Sequence, residues 1–216
     1  MMVEQVSNPV YRLLQKRDLT DVLKLMRQSA FPISGLSSRP LYRAICMDAL
    51  RDNRMLIGVA ELDRRVVGFL VVIVDWRAYW RAFLFRHLLV GSAILWRRLM
   101  RQRSRESLWQ KMSAEQRRQV VEVISTEASG RSWSDSGPVI AKGVFLHIDP
   151  ACRRRGLAVD LYRYLFDLLA SRGISRCDAK VDIVNTRAFP LHQRMGYRLE
   201  RVGDSLFATT DLPRGK

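Results

Sequence analysis

Apolar residues recur in two different periods along this chain, and the change from one period to the other outlines its elements. Val10 to Gln15 reads as a short strand. Asp18 then stands as the predicted N-cap of a helix whose apolar positions Leu19, Val22, Leu23, Leu25 and Met26 fall at helical spacing. A polar, proline-bearing stretch from Phe31 to Pro40 precedes a second predicted helix, Leu41 to Leu50. Two β-rich runs follow, Met55 to Leu62 and Val66 to Asp75, with Asp63-Arg64-Arg65 between them as a candidate hairpin turn.

The next clear strand is Pro138 to Ile148. The roughly sixty residues before it exceed any ordinary connection, so 76–137 is predicted to be an insertion with helices of its own. Its first part, Ala78 to Met100, is mostly apolar but carries Arg81, Arg86, His87, Arg97 and Arg98. Its second part, Ser113 to Ile124, opens with Ser113 and Gln116 in capping-box spacing and predicts a helix, and Thr126 to Gly137 predicts a loop. Beyond Ile148 the order is an arginine-rich turn, a helix from Leu157 to Ser171 stopped by Gly173, and a strand from Cys177 to Val184. A short helix near Leu191 and two strands, Tyr197 to Arg201 and Ser205 to Thr210, complete the pattern, which is α/β.

Composition narrows the picture. The 216 residues hold 37 basic against 21 acidic side chains, a formal +16 supplied mainly by arginine, so an anionic partner is expected. Cys46, Cys152 and Cys177 are odd in number and lack paired spacing, which points to a reducing compartment and to no metal site. No charged region followed by an apolar one marks the first ten residues for export. The expectation is a cytoplasmic protein, with the membrane face as an alternative address.

The candidate chemistry lies in the turn after Ile148. Arg153, Arg154 and Arg155, followed by Gly156, Leu157 and Ala158, put three cations and several backbone N–H groups at a helix N-terminus. Cations there oppose the helix dipole unless an anion joins them, so the turn is a built-in anion site. Gly156 lets a ligand approach the backbone, and the small Ala158 raises no wall.

The stretch Leu146-His-Ile-Asp-Pro-Ala-Cys-Arg-Arg-Arg-Gly-Leu-Ala158 resembles the coenzyme-binding motif of the GNAT superfamily of N-acetyltransferases. Asn185-Thr-Arg-Ala-Phe-Pro-Leu-His-Gln-Arg-Met-Gly-Tyr197 is similar to that family's second signature. The resemblance is strong from Pro138 to Leu212, weaker from Val10 to Asp75, and absent over the insertion. It implies a mixed central sheet of six to seven strands flanked by helices, with the helical insertion between the third and fourth. It also implies that the fourth and fifth strands splay apart to admit the pantetheine arm of acetyl-coenzyme A. On that likeness the backbones of Leu146 and Ile148 bond the acetyl carbonyl and pantetheine. Arg153, Arg154, Arg155, Gly156, Leu157 and Ala158 hold the pyrophosphate, and Asn185 contacts the coenzyme arm. An acceptor amine, on a small molecule or a sugar, then attacks the thioester directly and takes the acetyl group, or another acyl group carried in its place.

Such a reaction needs one group to take a proton and one to protonate the leaving thiolate. His192 occupies the position where many family members carry a tyrosine acid, and a role as acid and a role in packing are equally open. Lys142 stands where some members place a glutamate base. Asp182 is the substitute, acting through water, although a surface carboxylate paired with Arg187 is the reading that ranks first for it. His147, facing away from Leu146 and Ile148, reads as structural.

His87 to Trp96 is apolar around its whole helical circumference yet too short to span a bilayer. It is expected to form a helical hairpin, broken near Gly91-Ser92, buried on the sheet or in a homodimer. Alternatively the arginine-flanked segment 78–103 seats in an anionic membrane surface and delivers the site to a lipid-linked or cell-envelope acceptor. A basic nucleic-acid-binding protein is the reading from another class, ranked well below because no recognised nucleic-acid motif accompanies the charge.

Overall fold

The computed structural model describes residues 8–29, 39–87, 112–123, 140–183, 185–202 and 205–213. The chain runs β1 (Val10–Leu13), α1 (Leu19–Gln28), α2 (Arg39–Ala49), β2 (Met55–Leu62), β3 (Arg65–Val74) and α3 (Trp76–Arg86). It continues with α4 (Ala114–Val123), β4 (Ile140–Ile148), α5 (Leu157–Ser171), β5 (Arg176–Asp182), α6 (Phe189–Arg194), β6 (Arg198–Val202) and β7 (Ser205–Asp211). Seven strands form one sheet in the order β1-β2-β3-β4-β5-β7-β6. All neighbours are antiparallel except β4 and β5, which are parallel. This is the mixed sheet expected, with α3 and α4 lying between the third and fourth strands.

Alternation along the strands divides the core in two. Leu56, Leu70, Val72, Ala141, Cys177 and Ala179 point toward α5. Ile57, Val59, Phe69, Val71 and Ile73 point the other way, under α1, α2 and α3. Helix α5 buries Leu161, Leu165 and Leu169, spaced to line a single stripe. It lies close on β2: a Cβ on Gly58 would sit 2.9 Å from Leu165 Cδ1, so this strand position has room for no side chain.

Several local expectations hold. Asp63 and Arg64 form a two-residue hairpin turn with positive φ at both, and Leu62 pairs with Arg65 across it. Ser113 Oγ accepts from Gln116 N–H at 3.2 Å and Gln116 Oε1 accepts from Ser113 N–H at 3.0 Å, the reciprocal pair of a capping box. Gly173 follows α5 with φ +76°, and Ile174 N–H returns to Leu169 O.

Asp18 behaves differently from the expected cap. A short 3-10 turn, Lys16–Asp18, precedes α1, and the Asp18 side chain makes no bond to α1's amides. Its carboxylate instead accepts both Arg12 Nη groups, at 2.6 and 2.8 Å, and the Gln15 N–H at 2.7 Å. A guanidinium from β1 outcompetes a cap because the charge-assisted, bidentate contact is the stronger bond. The segments predicted at 31–38, at 88–111 including the Gly91-Ser92 break, and at 126–137 lie outside the described residues.

Candidate active site

Strand β4 keeps its antiparallel partner along its whole length but loses its parallel one halfway. It pairs with β3 from Ala141 to Ile148. It pairs with β5 only from Ile140 to Gly143, the last rung being Gly143 opposite Ala179. β5 meanwhile stays paired with β7 as far as Asp182. The two strands therefore part above Gly143 and Ala179 while each remains held on its outer side. A bulge begins the divergence: Val71 faces Phe145 and Val72 faces Gly143, which leaves Val144 as the extra residue that bends β4.

The parted edge exposes peptide groups. Asp149 N–H donates to Val67 O on β3 at 2.8 Å. Alternate residues of a strand direct their peptide groups to the same side, so His147 faces β3 while Leu146 and Ile148 face the opening. One of these groups is partly answered, because Arg153 Nε donates to Ile148 O at 3.1 Å. The rest need a partner from outside the sheet.

At the top of the opening lies the arginine-glycine turn. Asp149 Oδ1 accepts Ala151 N–H at 3.0 Å and steers the chain out of β4. Arg154 and Gly156 both have left-handed φ, +64° and +79°, a costly conformation for arginine and an easy one for glycine. Gly156 is the N-cap of α5 and has no side chain to cap it. The first helical bonds run from Val159 and Asp160 back to Gly156 O, so the N–H groups of Gly156, Leu157 and Ala158 point out of the turn. Arg154 and Arg155 are exposed beside them. Asp160, one turn on, is held by Tyr11 Oη at 3.3 Å and Arg163 Nη1 at 3.4 Å.

Below the opening, on the α5 side, the floor is aromatic. Tyr197 Oη donates to Cys177 Sγ at 3.3 Å and would lie 3.9 Å from a Cβ built on Gly143. Burial pushes the Cys177 thiol up to about 11, and burial again raises the Tyr197 phenol well above its ordinary value. His192 packs edge-on against Tyr197, with ring centroids 5.2 Å apart, and is 8% exposed. Its Nδ1 donates to Ala188 O at 2.8 Å, leaving Nε2 without a proton in the neutral ring. Burial lowers its pKa, and the Ala188 bond only partly offsets that.

The remaining predicted residues are placed as follows. Asn185 is exposed just beyond β5, its N–H donating to Asp182 O at 2.8 Å. Asp182 is exposed at the C-terminal end of β5, in register with Ser205. His147 faces α1 and α2 with its ring 6.2 Å from Phe69, and its pKa is lowered first by burial and then by Arg153. On that same face Lys142 is fully buried one rung below the parting, opposite the buried Asp178, which Arg176 Nη2 meets at 2.9 Å.

Sequence reasoning did not find the Tyr197–Cys177 contact, the Lys142–Asp178 rung or the Tyr11–Asp160 bond. Each joins residues at least 20 positions apart. The one available signal was the placement of polar residues inside otherwise apolar strands.

Residues 96–197 match the model of the GNAT family of acetyltransferases, a span that starts inside the predicted insertion. Among proteins of curated function none matches by sequence. Solved structures do. An N-acetyltransferase from Staphylococcus aureus Mu50 is similar with a TM-score of 0.58 at 16% identity, covering 96% of this chain and 100% of that one. The PaiA N-acetyltransferase of Thermoplasma acidophilum, solved with coenzyme A, gives 0.56 at 12%, covering 95% and 99%. The ribosomal-protein-S18-alanine N-acetyltransferase of Escherichia coli gives 0.55 at 14%, covering 97% and 96%. Residues 96–197 thus match the GNAT acetyltransferase family, and the sheet with its parted strands has the fold of these solved N-acetyltransferases.

Proposed function

We propose that this chain is an acetyltransferase, moving an acetyl group from coenzyme A to an amine, on a small molecule or an amino sugar, by direct attack while both are bound. The observation that carries the reading is the parting of β4 and β5 above Gly143 and Ala179, beside a turn whose amides point outward. A slot lined by peptide groups suits an amide-containing arm, and free N–H groups at a helix N-terminus suit a pyrophosphate. The residues present thus fit the coenzyme, which when bound supplies a thioester carbonyl open to attack.

Leu146 and Ile148 would hold the arm through the peptide groups they turn to the opening, and Asn185 would meet it from the β5 side. Gly156, Leu157 and Ala158 would bind the pyrophosphate through N–H groups. Arg154 and Arg155 add charge there, and Arg153 secures the turn through Ile148 O. Asp182 is the candidate to take the proton of the attacking amine through water. His192 can hand a proton to the departing sulfur only after receiving one at Nε2. An amine that arrives protonated has two to lose, the first to Asp182 before attack and the second to His192 as the C–N bond forms and the C–S bond breaks. The free state of Cys46, Cys152 and Cys177 accords with a reducing, cytoplasmic setting.

Isothermal titration with acetyl-coenzyme A, followed by release of free thiol across a panel of amines and amino sugars, tests this. Saturable binding and thiol release that depends on acceptor are expected. A chain that binds no coenzyme would refute the reading.

A further inference from the structure

Helix α3 has two faces, and only one belongs to the protein core. Tyr79 and Phe83 are fully buried on the inner face, packed with Trp76 and Trp80 over the side of the sheet away from α5. The outer face carries Arg77, Arg81, Leu84 and Phe85, all exposed. Their spacing of i, i+4, i+7 and i+8 gathers them into an arc of about 100°. Phe85 is 79% exposed and Leu84 40%, the largest apolar exposure found on any one described helix. No acidic residue interrupts the helix.

This outer face is presented in a fixed direction. Arg86 Nη1 donates to the buried Asp48 of α2 at 3.1 Å and its other Nη to Asp52. His87 Nε2 lies 3.1 Å from the same Asp48 oxygen. Together with the buried Tyr79 and Phe83, these contacts stop α3 from rolling its apolar residues inward.

We propose that the outer face of α3 docks on an anionic phospholipid surface. Arginines interleaved with a phenylalanine and a leucine match a bilayer interface, which takes apolar side chains below and guanidinium groups at the phosphates. A second copy of the chain fits poorly, because a two-fold contact would bring Arg77 and Arg81 of both copies, four guanidinium groups with no acidic residue on the helix to answer them, into one interface. A nucleic acid would answer the arginines but offer Leu84 nothing. The formal +16 of the chain adds long-range attraction toward such a surface.

The test is co-sedimentation of the full chain, without coenzyme, with vesicles of phosphatidylcholine alone or mixed with phosphatidylglycerol, at physiological ionic strength. Binding only to the mixed vesicles is expected. Arg77→Gln with Arg81→Gln should weaken it about 25-fold, at about fivefold per arginine. Leu84→Ser with Phe85→Ser should weaken it by about tenfold or more. All four positions are exposed, so the variants should fold, and circular dichroism checks that they do. Arg194→Gln, an exposed charge on α6, should change nothing.

Failure of the unaltered chain to sediment would overturn the proposal, as would equal weakening by Arg194→Gln, which marks unspecific attraction. So would a conversion of dimer to monomer by Phe85→Ser with vesicle binding unchanged, which assigns the face to self-association. Because no coenzyme is present, the outcome is independent of the acyl-transfer reading, whose failure is seen by titration instead.

Discussion

Replacing Gly156 by valine separates the fold from coenzyme binding. Gly156 has φ +79°, and a β-branched residue held there is strained by about 1–3 kcal/mol. A clash adds little, since a Cβ at this position would meet only Asp160 Oδ2, at 3.7 Å. For a chain of this length that strain lowers the melting temperature by roughly 2–12 °C, leaving the protein folded at 25 °C. Binding suffers more. The new methyl groups would stand beside the Gly156, Leu157 and Ala158 amides, and losing two charge-assisted bonds costs about 3–6 kcal/mol. That is roughly 10²–10⁴ in affinity for acetyl-coenzyme A. Arg153→Ala should cost less, about 1–3 kcal/mol, because the amides remain and Arg153 already spends its Nε on Ile148 O. Calorimetric titration of both variants beside thermal melts makes the comparison. Gly156→Val binding as tightly as the unaltered chain, or weakened less than Arg153→Ala, would refute the assignment of the turn.

Arg12→Met should destabilise the fold by about 3–5 kcal/mol in urea titration, since it strands the buried Asp18 carboxylate, and Asp18→Asn added to it should recover part of the loss. Burial alone would raise the Asp18 pKa, but the Arg12 bond, the Gln15 N–H and nearby arginine charge outweigh it and hold it down. Its contribution to stability is therefore present above pH of about 4 and fades as pH falls through the lowered value, measurable as an acid shift in the urea midpoint. Tyr197→Phe removes the bond to Cys177 Sγ and should cost about 1 kcal/mol of stability by chemical denaturation. If His192 relays the proton at Nε2, kcat falls as pH drops through its lowered pKa, below 6.5. His192→Gln should then remove that limb and about 10² or more in rate, whereas an unchanged pH profile assigns His192 to packing alone.

The fold was legible where local chemistry sets an element's limits, and obscure where a distant partner does. Helix α5 runs from Leu157 to Ser171 as expected because Gly156 and Gly173 bracket an apolar stripe. The capping box at Ser113 is equally local. The Asp18 cap failed because Arg12, on a strand that must first pair with β2, takes the carboxylate. The peptide directions at Leu146 and Ile148 follow from alternation, yet the rung at which the strands part does not. Val144 carries no bulge signature; its extra place arises from the offset between Val71–Phe145 and Val72–Gly143 pairing, a property of two strands together. The same holds for α3, whose residues are apolar or cationic throughout, so that only packing decides that Phe83 turns inward and Phe85 outward.

The slot and the anion site share one cause, the parallel pairing of β4 with β5. A parallel neighbour requires a crossover, and that crossover is α5, which must start where β4 ends. Its N-terminus therefore lies at the carboxyl end of the pair, the end at which the strands separate, and antiparallel neighbours could not bring a helix N-terminus there by a short turn. Separation is tolerable because neither strand becomes a true edge. β3 holds β4 through Ile148, and β7 holds β5 through Asp182, so each keeps a full ladder on its outer side. What remains unpaired is a short run of peptide groups facing a gap, too few to unravel the sheet and sufficient to bind an extended amide chain as a further strand would. A substitution that closed the gap by pairing β4 with β5 to their ends would thus gain sheet stability and lose the binding edge together, the opposition expected where a fold keeps an opening for a ligand.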